Sequence, residues 1–114
     1  MIDWTRIREL KEEIGASDFA EVAALFLGEM DAEMRALPSA QGDAAQMRDR
    51  LHSMKGSALN IGFARLAALC AEGENRARAG DGHPVELAAV QSALDQSKAL
   101  LETGGIGAMN AAGY

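Results

Sequence analysis

The chain has 114 residues, a formal net charge of −6 and a pI near 4.8, an acidity that argues against nucleic acid or an anionic membrane surface as its partner. Hydrophobic residues make up 48% and charged residues 25%, the balance of one globular domain with a single modest core. The lone cysteine, Cys70, excludes an internal disulfide and cannot by itself build a metal cluster.

The N-terminus, Met1-Ile2-Asp3-Trp4-Thr5-Arg6, lacks the basic-then-apolar order of a signal peptide. No apolar run approaches the roughly 20 residues of a membrane span, so a cytoplasmic location is expected. Ile2, Ile7, Leu10 and Ile14 mark a short amphipathic helix ending at Gly15. Asp18 followed by Glu21 predicts a capping box that opens a second helix. Its apolar face runs through Phe19, Val22, Phe26, Met30 and Leu37, and Pro38 is expected to close it. Asp43 with Gln46 opens a third helix that runs to Asn60 or Ile61, with Gly62 as its stop. There Met47, Leu51, Met54, Ala58 and Ile61 repeat at intervals of four and three, the seam of a helix packed in a bundle.

A fourth helix spans 63–79, with Leu66, Leu69, Cys70, Gly73 and Ala77 on one side, and Gly80-Asp81-Gly82 breaks it. Pro84 suits the first turn of a fifth helix, whose stripe is Leu87, Val90, Leu94 and Leu101. Residues 103–114 carry four glycines and no periodicity, so a flexible tail is expected after a domain over 1–102. Aromatic residues are only 4%, which leaves Leu, Ile, Val, Met and Ala to fill the core. The pattern predicts an all-α protein: an antiparallel up-down-up-down four-helix bundle, with the short N-terminal helix capping one end. Trp4 and the methionines are assigned to core or end-cap packing.

The third helix carries unusual residues on its outer face. His52 stands about 140° from the centre of the apolar seam. Lys55 and Gly56 fall about 60° and 40° either side of it. Glycine inside a helix costs roughly 1 kcal/mol against alanine, and close approach of another molecule to His52 would explain Gly56. A neutral imidazole has one ring nitrogen free as a nucleophile. The ammonium of Lys55 can stand beside phosphoryl oxygens, and Arg48, Lys55 and Arg65 make a local basic patch on an acidic protein. Leu59, seven residues after His52, is an exposed apolar residue on the same face, suited to an interface. The sequence has no P-loop, no Gly-rich kinase loop and no carboxylates spaced to hold Mg²⁺. His83 lies in a turn, and His52, His83 and Cys70 fall on separate elements, so no metal site is expected. Cys70 reads as a small buried hydrophobe.

The run His52-Ser53-Met54-Lys55-Gly56-Ser57-Ala58, followed by Gly62, Leu66, Leu69, Cys70 and Glu74, resembles the signature of histidine-containing phosphotransfer (HPt) domains. The resemblance implies that His52 is the phosphoacceptor, that Lys55 steadies the phosphoryl group, and that Gly56 leaves room for a receiver domain. Arg48, Leu59 and Arg65 would then border the docking face. Glu74 matches a position where the family often places Gln or Glu against the acceptor imidazole; otherwise it is a solvated residue paired with Arg78 at i+4. Gly73 departs from the family pattern, which usually has a bulky apolar residue there. The resemblance further implies a phosphocarrier without catalytic machinery of its own, and a complete four-helix core points to a monomer. It would need no cofactor beyond the Mg²⁺ of its partner. Those partners are receiver domains of response regulators and of a hybrid sensor kinase. Two alternatives stay open, the phosphoacceptor domain of a chemotaxis-type kinase and a non-phosphorylated helical adaptor.

Overall fold

The computed structural model describes the backbone of residues 1–112 and the side chains of residues 1–103. Five helices follow in chain order: α1 (Trp4–Ile14), α2 (Ala16–Ala40), α3 (Ala44–Asn60), α4 (Ala64–Arg78) and α5 (Leu87–Ala112). The described residues contain no strand. Each long helix packs on the next, and α5 returns to α2, which closes a four-helix ring. No helix among the described residues is long and apolar enough to cross a membrane.

The α3 seam is the spine of the core. Met47, Leu51, Met54, Ala58 and Ile61 are all fully buried, joined by Met30 and Leu37 of α2, Leu66 and Cys70 of α4, and Val90 and Leu94 of α5. The start of α3 is capped at Asp43, which accepts the backbone N–H of Gln46 at 3.1 Å. The Gln46 side-chain amide donates to the other oxygen of the same carboxylate. Both bonds are donated by Gln46, and together they fix the N-terminus of α3.

Three boundaries differ from the sequence expectation. No capping box forms at Asp18: α2 begins at Ala16, because Gly15 turns the chain with φ +85° and its carbonyl accepts the N–H of Phe19. Asp18 lies within the first turn, where its charge favours the helix N-terminus. Pro38 does not close α2, which runs on to Ala40. A proline in the last turn removes only one helical hydrogen bond, and burial of Leu37 and Ala40 holds that turn in place. Pro84 does not open α5 either; it is buried in the α4–α5 connection, and the helix starts at Leu87. At the far end, the helical backbone of α5 extends past residue 102. A flexible tail over 103–114 was expected there. The side chains from 104 onward and residues 113 and 114 lie outside the described residues.

The N-terminal segment is tied to the α3–α4 turn. Asp3 donates its N–H to Gly62 O at 2.7 Å, Met1 O accepts from Arg65 N–H, and Arg6 Nε donates to Asn60 O. These bonds seat α1 at that end of the bundle, with Ile7 and Leu10 buried. Trp4, in contrast, is 37% exposed and fills no core position, as is also true of Met1; Met30, Met34, Met47 and Met54 are buried.

Candidate functional site

His52 stands in the middle of α3 with its side chain 67% exposed, and one turn of α4 supplies what surrounds it. Glu74 reaches from α4 to place Oε2 3.1 Å from His52 Nδ1. Its side chain is only 2% exposed. Lys55 Nζ lies 2.8 Å from the other oxygen, Oε1, and Arg78, one turn along α4, donates to Oε2 at 2.5 Å. One buried carboxylate thus meets an imidazole and two cations.

The α4 backbone beside Glu74 is tightly packed. A Cβ on Gly73 would stand 2.4 Å from Val85 Cγ1 and 2.7 Å from Leu51 Cδ1. A larger side chain there would have to displace the ends of Leu51 and Val85. Glycine lets Leu51 and Val85 close over the backbone beside Glu74. Cys70, one turn before Glu74, is buried. Desolvation, then the Glu74 charge, pushes its thiol up to about 12, so it is an inert packing group.

The carboxyl of Glu74 is held below its ordinary value of 4.5, chiefly by the Lys55 hydrogen bond. Burial opposes this, while the His52 hydrogen bond and the charges of Lys55 and Arg78 reinforce it. An ionised carboxylate only accepts hydrogen bonds. His52 Nδ1 must therefore donate, and the lone pair of the neutral ring is left on Nε2. A ring in its neutral form would therefore carry its proton on Nδ1 and its free lone pair on Nε2, on a side chain that is mostly exposed.

The depressed value also makes a pH prediction. A group ionised more readily in the folded than in the unfolded chain contributes stability above its unfolded value, and that contribution is lost as pH falls through the folded value. The stability of the parent relative to Glu74→Gln is therefore expected to be highest above 4.5 and to decline as pH drops below it. Urea midpoints of both proteins across that range measure this. A difference that does not vary with pH would mean that the Glu74 carboxyl titrates alike in the folded and unfolded chains.

The other sequence-selected residues fall in two groups. Gly56 is open, with nothing within 4 Å of an added Cβ, and Leu59 is 56% exposed beyond it on the same helix. Arg48 is exposed one turn before His52, but its guanidinium pairs with Asp49 at 3.3 Å, which tempers its charge. Arg65 is not part of the cluster. It stands at the start of α4, beside the α3–α4 turn, roughly 13 Å along the helix axis from Glu74. Arg78 is the member that the sequence considered only as a solvent partner of Glu74; its i+4 spacing was the available signal. His83 is exposed in the α4–α5 connection, and the described residues hold no group of three or more His, Cys, Asp or Glu placed to bind a metal.

Comparison with known proteins bears on the family of the chain. Two relatives, the phosphorelay protein LuxU of Vibrio vulnificus strains YJ016 and CMCP6, are each 29% identical to the chain over 83 residues. The alignments cover 71% of this chain and 72% of each relative. No solved structure gives a significant match. A family model described as Hpt domain matches residues 5–100, from the second residue of α1 into α5. With that match spanning all but the two ends of the sequence, the chain belongs to the histidine-containing phosphotransfer family.

Proposed function

We propose that His52 is the phosphoacceptor of this histidine phosphotransfer protein, passing a phosphoryl group to and from receiver-domain aspartates through Nε2. The observation that carries the reading is the Glu74 carboxylate on Nδ1, which leaves Nε2 unprotonated and exposed. In the forward step the Nε2 lone pair attacks the phosphorus of a receiver's aspartyl phosphate. The P–N bond forms as the P–O bond to the aspartate breaks, and the electron pair leaves with the aspartate carboxylate. Nε2 has no proton to lose, so no separate base is required. The ring becomes an N-phosphoimidazolium whose positive charge is balanced by Glu74. In reverse, that positive ring is a good leaving group, which suits a carrier.

Lys55 is assigned to the phosphoryl oxygens, because it shares α3 with His52 at i+3 and its stem is long enough to turn from Glu74. Gly56 and Leu59, with Arg48 nearby, form the face on which a receiver docks, with Arg65 at its edge. An acidic receiver pocket complements that face and supplies the Mg²⁺. The chain is a phosphocarrier module that relies on its partners for phosphoryl chemistry. Receivers of response regulators and of a hybrid sensor kinase are the proposed partners, the proposed form is a monomer, and the cytoplasm is the proposed location.

Gly56→Leu tests the docking face. The position is open to solvent, so the variant is expected to fold and to accept phosphate from phosphoramidate at the parental rate. Exchange with a phosphorylated receiver is expected to fall by at least about tenfold, because in-line transfer tolerates little displacement of donor and acceptor. Unimpaired exchange would place the receiver elsewhere.

A further inference from the structure

We propose that Arg78 is a positioning residue of the phosphotransfer site, keeping the buried Glu74 carboxylate charged and seated on His52 Nδ1 when Lys55 turns to the phosphoryl group. The inference rests on the roles given above to His52 and Lys55.

Glu74 divides its two oxygens unequally. Oε1 faces Lys55, while Oε2 accepts from both His52 and Arg78. The two cations also belong to different helices. Lys55 is on α3 with the phosphoacceptor, so it can follow the phosphoryl group. Arg78 is on α4 with Glu74, four residues along, so carboxylate and guanidinium keep their spacing whatever happens on α3. In the resting protein Lys55 dominates the charge state of Glu74. Once its ammonium moves to the phosphoryl oxygens, Oε1 loses that partner on a carboxylate that is 2% exposed in the resting protein.

A buried carboxylate without a compensating cation is driven to take up a proton. Protonated Glu74 would no longer require Nδ1 to donate, and the phosphoimidazolium would lose its counter-charge. Arg78 is the cation left on the carboxylate until the P–N bond forms and the ring itself becomes positive. A guanidinium suits the task because it stays charged at any working pH, while its side chain, 57% exposed, sheds little hydration.

The decisive measurement reads the resting ring rather than phosphotransfer, which separates it from the assignment of His52 and Lys55. Lys55→Ala removes the first cation permanently. In ¹⁵N NMR spectra taken in alkaline buffer, where the ring is neutral, the parent and Lys55→Ala are expected to show His52 protonated on Nδ1. Lys55→Ala with Arg78→Ala is expected to show the tautomer mixture of a free imidazole, and Lys55→Ala with Arg78→Lys to restore the Nδ1–H form. A doubly substituted protein that keeps Nδ1–H overturns the proposal, as does loss of that form in Lys55→Ala alone.

Should the double variant not fold, Arg78→Ala alone carries the test. Phosphorylation of its His52 by phosphoramidate is expected to slow about tenfold, the usual scale for losing a residue that orients an active group. Arg78→Lys is expected to recover most of that rate. A parental rate in Arg78→Ala overturns the proposal. Failure of the parent itself to take label would overturn the assignment of His52, with the ring tautomer still deciding the role of Arg78.

Discussion

His52→Gln is expected to abolish acid-labile labelling from a phosphorylated receiver while leaving helicity and melting temperature nearly unchanged. The loss should be complete because glutamine offers no nucleophilic nitrogen: its amide lone pair is delocalised into the carbonyl. The fold should be indifferent because the His52 side chain is 67% exposed and belongs to no core cluster. The substitution removes one hydrogen bond from Glu74, which keeps Lys55 and Arg78 as partners. Surface changes of this kind usually stay within about 0.5 kcal/mol. Only two histidines are present, and His83 lies exposed in the connection between α4 and α5. Its backbone N–H is held by Asp81, but no carboxylate addresses its ring. Labelling by phosphoramidate and by a receiver, followed by acid treatment, reads the result. Acid-labile label persisting on the variant would move the phosphoacceptor away from His52.

Gly62→Ala is expected to cost about 2 kcal/mol or more of folding stability, through two independent causes. The residue holds φ +76°, a left-handed conformation that a Cβ penalises. An added Cβ would also stand 2.7 Å from the carbonyl oxygen of Asp3, a backbone atom that cannot rotate aside. Relief requires the N-terminal segment to withdraw from the α3–α4 turn. The bonds from Asp3 to Gly62, Arg65 to Met1 and Arg6 to Asn60 would be strained together. Ile7 and Leu10, buried by that docking, would lose cover. Urea unfolding measures the difference. Gly56→Ala is the internal control, since it sits in ordinary helical geometry with open space around it and is expected to gain up to about 1 kcal/mol. If the two substitutions have equal effects, the docking of α1 on Gly62 contributes nothing.

The two glycines illustrate how differently sequence and tertiary structure speak. A stop at Gly62 and an open position at Gly56 both follow from helical periodicity. That Gly62 also receives the N-terminus does not, because Asp3 is far away along the chain. The same division runs through the site. Residue spacing alone turns Met47, Leu51, Met54, Ala58 and Ile61 inward and His52 outward, since side-chain direction repeats with the helical period whatever the helix packs against. The all-helical bundle is legible for the same reason, and so are the Asp43 cap and the Gly15 stop, which are chemistry within one turn.

Boundaries governed by competition were not legible. Asp18 could cap a helix, but the turn at Gly15 starts α2 earlier; Pro38 could end one, but packing of Leu37 and Ala40 carries the chain past it. The charge network was legible only in part. The i+4 pairing of Glu74 with Arg78 is local, whereas the contacts of Glu74 with His52 and Lys55 depend on how deeply α4 settles against α3. Leu51 of α3 packs directly against the Gly73 backbone at that contact. Sequence by itself determined which residues form helices and which side of α3 meets solvent, because those properties are periodic and local. Only the tertiary structure decided which nitrogen of His52 carries the proton, because that depends on one buried carboxylate from another helix.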